Sequence, residues 1–204
     1  RYTLQDPDVR LMLKVRDEDD ASSFEELMLR YQNRVLTILE HLVGDRALAE
    51  DLTQDVFLRV YRARKRYVPG AKFSTWLFTI TNNVARNAKR TLSRRREVGV
   101  AAATGGTTSV VSLEHLAKEA SGLMPARQLD KAEMAQIVRL AMESLNERQR
   151  LAVLLSKFEA MSYVEIAESM ELSLQAVKSL LSRARGALRE VLETYLSEGT
   201  SPPG

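Results

Sequence analysis

Apolar side chains recur every three or four residues along most of this 204-residue chain, and strand-like alternation is nearly absent. Phe24, Leu27, Met28, Tyr31, Val35, Ile38, Leu39 and Leu42 step along one helical face until Gly44-Asp45 stops the helix. Leu48, Leu52, Val56 and Val60 mark a second helix, which runs toward the turn signal Pro69-Gly70. A third, from about Ser74, turns Leu77, Ile80, Val84 and Ala88 inward and runs out in RTLSRRR. Upstream, DVRLMLKV reads as a short lead helix.

The pattern then breaks. EVGVAAATGGTTSVV has small residues, a glycine pair and no usable period, the mark of a flexible linker, with SLEHLAKEA as a short helix inside it. Periodicity resumes at Met134, Ile137, Val138, Ala141 and Leu145. Asn146 with Gln149, and Ser162 with Glu165, have capping-box spacing, and Ser173 fits an N-cap. SEGTSPPG reads as a frayed tail. The fold class expected is all-α: two small helical domains, 1–96 and 132–197, joined by a linker over 97–131 and followed by a tail, 198–204.

The last helix carries two stripes. In SLQAVKSLLSRARGAL, Val177, Leu180, Leu181, Ala184 and Leu188 share one side, while Lys178, Ser182, Arg185 and Arg189 form a basic row on another. The short helix before it offers Ile166, Ala167 and Met170 to pack on Val177 and Leu181, which gives a helix-turn-helix whose second helix suits a DNA major groove. Its leading residues Leu174, Gln175, Lys178 and Ser179 would face base edges, and Lys178, Arg183, Arg185 and Arg189 could pair with bases or phosphates. The plain alternative is a helical bundle with a charged outer face. Glu171 occupies the turn position that ordinarily holds glycine; a side chain at positive φ there costs about 1–2 kcal/mol, unless the turn is of another type.

Composition narrows the function. The chain has 45% hydrophobic and 28% charged residues, ordinary for a soluble globular protein, and no apolar run long enough to span a membrane. No membrane insertion is expected. The N-terminus lacks an apolar signal core, and the chain opens on Arg1 rather than Met, as a trimmed sequence would. With no cysteine and only His41 and His115, disulfide frameworks and cysteine-ligated zinc are excluded, and a cytoplasmic setting is the natural expectation. Charge is unevenly spread: residues 59–96 hold 12 basic side chains and no Asp or Glu, whereas residues 1–58 carry a net −6. Such a block points to a polyanion, against the bland reading of a solvated basic face.

Two further surfaces stand out. Glu50, Asp51, Gln54, Asp55 and Arg59 form a polar row beside the apolar stripe of the second helix. Carboxylates at i, i+4 can hold a metal or act as acid and base, but no His, Cys or nucleophile converges on them, so a docking face or a solvated one is the better reading. The other surface interleaves Tyr67, Phe73, Trp76 and Phe78 with Arg64, Lys65, Arg66, Lys72, Arg86, Lys89 and Arg90. Aromatic rings of this kind stack on unpaired bases or fill a core, and for the single Trp the core is the safer assignment. Asn82, Asn83 and Asn87 can hydrogen-bond base edges.

FEELMLRYQNRVL, AEDLTQDVFLRVYRA, FSTWLFTITNNVARNAKR, LNERQRLAVLL and MSYVEIAESMELSLQAVKSLLSRARGALRE occur in that order, and the chain resembles bacterial sigma-70 family RNA polymerase sigma factors of the extracytoplasmic-function (ECF) group. The resemblance covers about residues 6–96 and 132–195. It implies that domain 1–96 is sigma region 2 and domain 132–197 sigma region 4. Asp51, Gln54, Asp55 and Phe57 then lie in the segment binding the clamp helices of the polymerase largest subunit. Lys72, Phe73, Ser74, Thr75, Trp76, Asn83 and Arg86 fall where the family engages the minus-ten element. Gln175, Lys178, Ser179, Ser182, Arg183 and Arg185 match the minus-thirty-five reading helix, in a domain that also meets the flap of the second-largest subunit. The partners implied are core RNA polymerase, promoter DNA and an anti-sigma factor, with no catalytic residue, metal or cofactor. Departures from the pattern are Leu180 where Arg is common, Glu171 for the turn glycine, and a linker lacking acidic and proline-rich character. The rivals are a stand-alone helix-turn-helix regulator with an unrelated dimerisation domain, and an enzyme acting through Asp51 and Asp55.

Energetics limit what such a chain does alone. Unstacking costs about 1.4 kcal/mol per step, so opening several steps costs on the order of 5–8 kcal/mol. One flipped base on an aromatic platform returns only about 1–3 kcal/mol. The isolated chain is therefore predicted not to melt a promoter; permanganate reactivity of minus-ten thymines without core polymerase would refute this.

Overall fold

The computed structural model describes residues 5–98 and 131–198; residues 99–130 of the expected linker 97–131, with the short helix inside it, and residues 199–204 of the expected tail 198–204 lie outside the described residues, while helix continues to Val98 and resumes at Lys131. The described residues form helices without strands: α1 (Pro7–Glu18), α2 (Ala21–Val43), α3 (Arg46–Ala63), a 3-10 turn (Arg64–Arg66), α4 (Phe73–Val98), α5 (Lys131–Glu143), α6 (Glu147–Lys157), α7 (Tyr163–Met170) and α8 (Leu174–Glu198). Among them no helix is long and apolar enough to cross a membrane. They group into two compact units, one built on α1–α4 and the other on α5, α6 and α8.

Side chains set the helix boundaries. Asp6, Asp20 and Asp45 cap α1, α2 and α3, each accepting a backbone N–H of the first turn, and Pro7 supplies a preset φ where no donor is needed. The Asp20 carboxyl is held below the ordinary aspartate value by the hydroxyls of Ser23 and Ser22. The capping boxes at Asn146/Gln149 and Ser162/Glu165 form reciprocally, and Ser173 accepts from the Ala176 N–H at 3.2 Å. Gly44 closes α2 at φ 73°; a Cβ there would meet nothing within 4 Å, so glycine is favoured there by backbone conformation alone.

In the first unit α2 packs against α1, α3 and α4. Val9, Met12, Leu27, Val35, Leu39, Val56 and Val60 are fully buried, each such side chain contributing about 1.5–3 kcal/mol of transfer free energy. At one end of this core Tyr31, Tyr67, Phe73, Trp76 and Phe78 make an aromatic cluster with centroid separations from 4.9 to 6.4 Å. In the second unit α5 and α6 both pack on α8, burying Ile137, Ala141, Leu151, Leu154, Val177 and Leu181.

Glu171 ends α7 at φ 54°, so the turn keeps left-handed geometry without glycine. Its N–H donates to the Glu168 carbonyl and the Leu172 N–H to the Ala167 carbonyl, hydrogen bonds that hold the strained residue in place. Relief of this strain, less the entropy glycine adds to the unfolded chain, predicts that Glu171→Gly raises stability by about 0.5–1 kcal/mol. A urea midpoint unchanged or lowered would contradict that.

Tyr67 makes a second prediction. Its hydroxyl is buried without a hydrogen-bond partner among the described residues, and burial, with the Asp6 charge, pushes the phenol up to about 12. The neutral form is the one the fold favours, so this stabilisation is complete below the ordinary tyrosine value of 10.0 and disappears as pH rises through about 12. Tyr67→Phe removes an unpaired polar group and should be neutral or stabilising by about 1 kcal/mol at pH 7. It should also flatten the decline in stability between pH 10 and 12, the interval to follow by circular dichroism.

Candidate nucleic-acid interface

α8 sorts its side chains by face. Val177, Leu180, Leu181 and Ala184 are buried, while Gln175, Lys178, Ser179, Ser182, Arg183, Arg185 and Arg189 are exposed. Ser173 caps the start of this helix, so Gln175 and Lys178 stand in its first turns, where a groove-entering helix meets base edges. Two of the cations are oriented from within the unit. Arg183 Nε donates to the Ser179 carbonyl and Arg185 Nη1 to the Tyr163 hydroxyl, both at 3.4 Å. Leu180, where an Arg would be usual, lies on the buried side, so it does not interrupt the exposed row. Leu174, just after the turn, and Val164, near the start of α7, are exposed apolar residues.

The start of α4 is anchored from beneath. Phe73 is fully buried against Tyr31 and Thr75 is buried too, whereas Lys72 is exposed and Ser74 half-buried. Tyr67 and Phe78 are also core, leaving Trp76 as the half-exposed ring of the cluster, its centroid 4.9 Å from Tyr67. Farther along α4, Asn83 is half-buried, Asn82 buried, and Arg86 and Arg90 exposed. Helical period places Trp76, Asn83, Arg86 and Arg90 along one side. Lys72, Trp76, Asn83 and Arg86 thus offer charge, a ring face and an amide, while Phe73 and Thr75 belong to the support.

On α3 the polar row is displayed as the sequence suggested: Asp51 and Gln54 are exposed, and Asp55 accepts from Arg59 Nε at 3.0 Å. Phe57 is 4% exposed and fills the core. The apolar side chain that projects from this face is its neighbour Leu58, 53% exposed, with Tyr61 one turn on. Periodicity singled out the stripe Leu48, Leu52, Val56 and Val60; the available signal for Leu58 was an apolar residue off that stripe.

Part of the basic block 59–96 is engaged by a carboxylate of the same unit. Arg64 and Lys65 both donate to the Asp19 carboxylate, at 2.7 and 2.8 Å, and hold it below the ordinary aspartate value, Lys65 contributing most. That pairing joins residues 45 and 46 positions apart, out of reach of any local pattern.

The family described as Sigma-70 region 2 matches residues 27–95, and Sigma-70, region 4 matches residues 135–188. The chain is 30% identical over 194 residues to the RNA polymerase sigma-H factor of Pseudomonas aeruginosa, covering 95% of this chain and 98% of that protein. It is 31% identical over 176 residues to the ECF RNA polymerase sigma-E factor of Escherichia coli K12, covering 83% and 86%. The sigma factor RpoE of Bartonella quintana, solved in complex with the anti-sigma factor NepR, has a similar fold, with a TM-score of 0.65, 23% identity, and coverage of 85% of this chain and 98% of that one. Two family matches in order, and relatives aligned over nearly their whole length, carry the assignment: the chain belongs to the sigma-70 family as an RNA polymerase sigma factor of the ECF group.

Proposed function

We propose that this sigma factor joins core RNA polymerase through α3 and reads promoters through α4 and α8, acting by binding rather than catalysis and in the cytoplasm. The observation that carries the reading is the segregation on α8, where Val177, Leu180, Leu181 and Ala184 are buried and every member of the basic row is exposed. Gln175, Lys178, Ser179, Ser182, Arg183 and Arg185 are assigned to the minus-thirty-five element, Arg and Lys to base edges or phosphates. Lys72, Ser74, Trp76, Asn83 and Arg86 are assigned to the minus-ten strand, with Phe73 and Thr75 as their buried support. Asp51, Gln54, Asp55 and the exposed Leu58 are assigned to the clamp helices of the largest subunit, backed by Phe57. The second domain is assigned to the flap of the second-largest subunit. A protein antagonist of the anti-sigma kind is part of the same proposal, and the exposed apolar residues Leu29, Leu58 and Val164 suit such a partner. A stand-alone regulator would leave the region 2 match over residues 27–95 without a role.

The test is retention of core polymerase by the tagged chain, followed by transcription from promoters selected by sequencing the products. Leu58→Asp places a charge in the proposed apolar contact and should weaken core binding tenfold or more, on the order of 1.4 kcal/mol. Undiminished binding would remove α3 from the interface. Neutralising Lys178, Arg185 or Arg189 singly should flatten the dependence of log K on log salt by about 0.9 for each phosphate no longer neutralised. Three unchanged slopes would place the DNA-binding face elsewhere.

A further inference from the structure

The C-terminal end of α1 grips the segment that leads into α4. Asp19, in the left-handed conformation at φ 53°, receives Arg64 Nε on Oδ1 and Lys65 Nζ on Oδ2. Lys65 Nζ also donates to the Arg16 carbonyl at 2.7 Å, and Arg16 Nη1 donates to the Tyr67 carbonyl at 3.0 Å. Arg16 is itself oriented by a two-pronged pair with Asp17. Arg64 lies 3.9 Å over the Tyr61 ring, so its guanidinium is sandwiched between helix α3 and the Asp19 carboxylate. Tyr67, held by its carbonyl, packs its ring 4.9 Å from Trp76. A chain of direct contacts thus runs from Asp19 and Arg16 through the 3-10 turn and Tyr67 to the half-exposed ring of α4.

From this geometry we propose that Asp19 and Arg16 are positioning residues for minus-ten engagement: they set the height and direction of Trp76 and the 68–72 loop without touching DNA. The inference rests on the assignment of Trp76 and Lys72 to the minus-ten strand. It goes beyond that assignment by giving α1, which precedes the region 2 match at residues 27–95, a part in promoter opening. Asp19 uses two of the block's 12 cations internally, trading phosphate attraction for a fixed loop. Exposed pairs of this kind are individually weak, so the expected effects are moderate.

The experiment uses the full chain assembled with core polymerase, a fluorescent base analogue in the minus-ten strand reporting opening, and Trp76→Ala as the direct-contact control. Asp19→Ala is expected to reduce opening about three- to tenfold, in line with the removal of two exposed pairs. Core affinity should be unchanged, the melting temperature should fall by only the few degrees that loss of two exposed pairs implies, and Asp19→Glu should recover most of the activity. A tighter, more salt-sensitive complex with any DNA would show that Asp19 merely masks Arg64 and Lys65, and would overturn the proposal. Normal opening by Asp19→Ala beside a defective Trp76→Ala would overturn the positioning role while leaving the promoter assignment intact. A Trp76→Ala protein with full opening would remove that assignment, and this proposal with it. A parallel fall in core affinity would make Asp19 structural and would likewise overturn it.

Discussion

The aromatic cluster of Tyr31, Tyr67, Phe73, Trp76 and Phe78 is the packing on which the rest of the first domain's contact surface depends. Tyr67 is the residue that follows the 3-10 turn and Phe73 the first of α4, so the segment 68–72 is fixed at both ends by buried rings. Fixing the ends of a short connection removes much of the ordering entropy that a partner would otherwise have to supply. Edge-on and tilted contacts at 4.9 to 6.4 Å add about 0.5–1.5 kcal/mol each beyond area burial. Because Trp76 is the cluster's half-exposed member, the same packing that stabilises the core aims a ring at solvent.

The helices proposed to touch polymerase or DNA use opposite faces for different work. On α8 the leucine-rich side is buried and the cationic side exposed; on α3 Val56, Phe57 and Val60 are buried while Asp51, Gln54 and Leu58 are displayed. A rigid helix whose buried face is close-packed presents its outer side chains with little freedom in position, which favours recognition by a fixed row of groups. Backbone strain occurs where helices must turn sharply. Asp19 and Glu171 adopt left-handed φ without being glycine, and each is held there by backbone hydrogen bonds.

Local chemistry made most of this readable in one dimension. The capping pairs Asn146/Gln149 and Ser162/Glu165, the cap at Ser173, the stop at Gly44 and the two faces of α8 all depend on residues within a turn of one another, and all are found in the structure. Where several rings crowd one segment, burial was not legible. Tyr67, Phe73 and Phe78 went inside and Trp76 only partly, because ring placement depends on what α2 brings opposite α4. Phe57 and Leu58 differ by one position and 100° of helical turn, and only the packing of α3 on α2 and α4 selects which is displayed.

Sequence alone thus determined the main helical elements, the caps at Asn146, Ser162 and Ser173, the two-faced character of α8 and the motif order that identifies the family, since periodicity, capping and local charge are properties of neighbouring residues. Tertiary structure decided which aromatics became core, that Leu58 rather than Phe57 faces outward, and that Arg64 and Lys65 pair with Asp19. Those outcomes depend on contacts between residues far apart in the chain, whose meeting only the assembled packing of α1–α4 brings about.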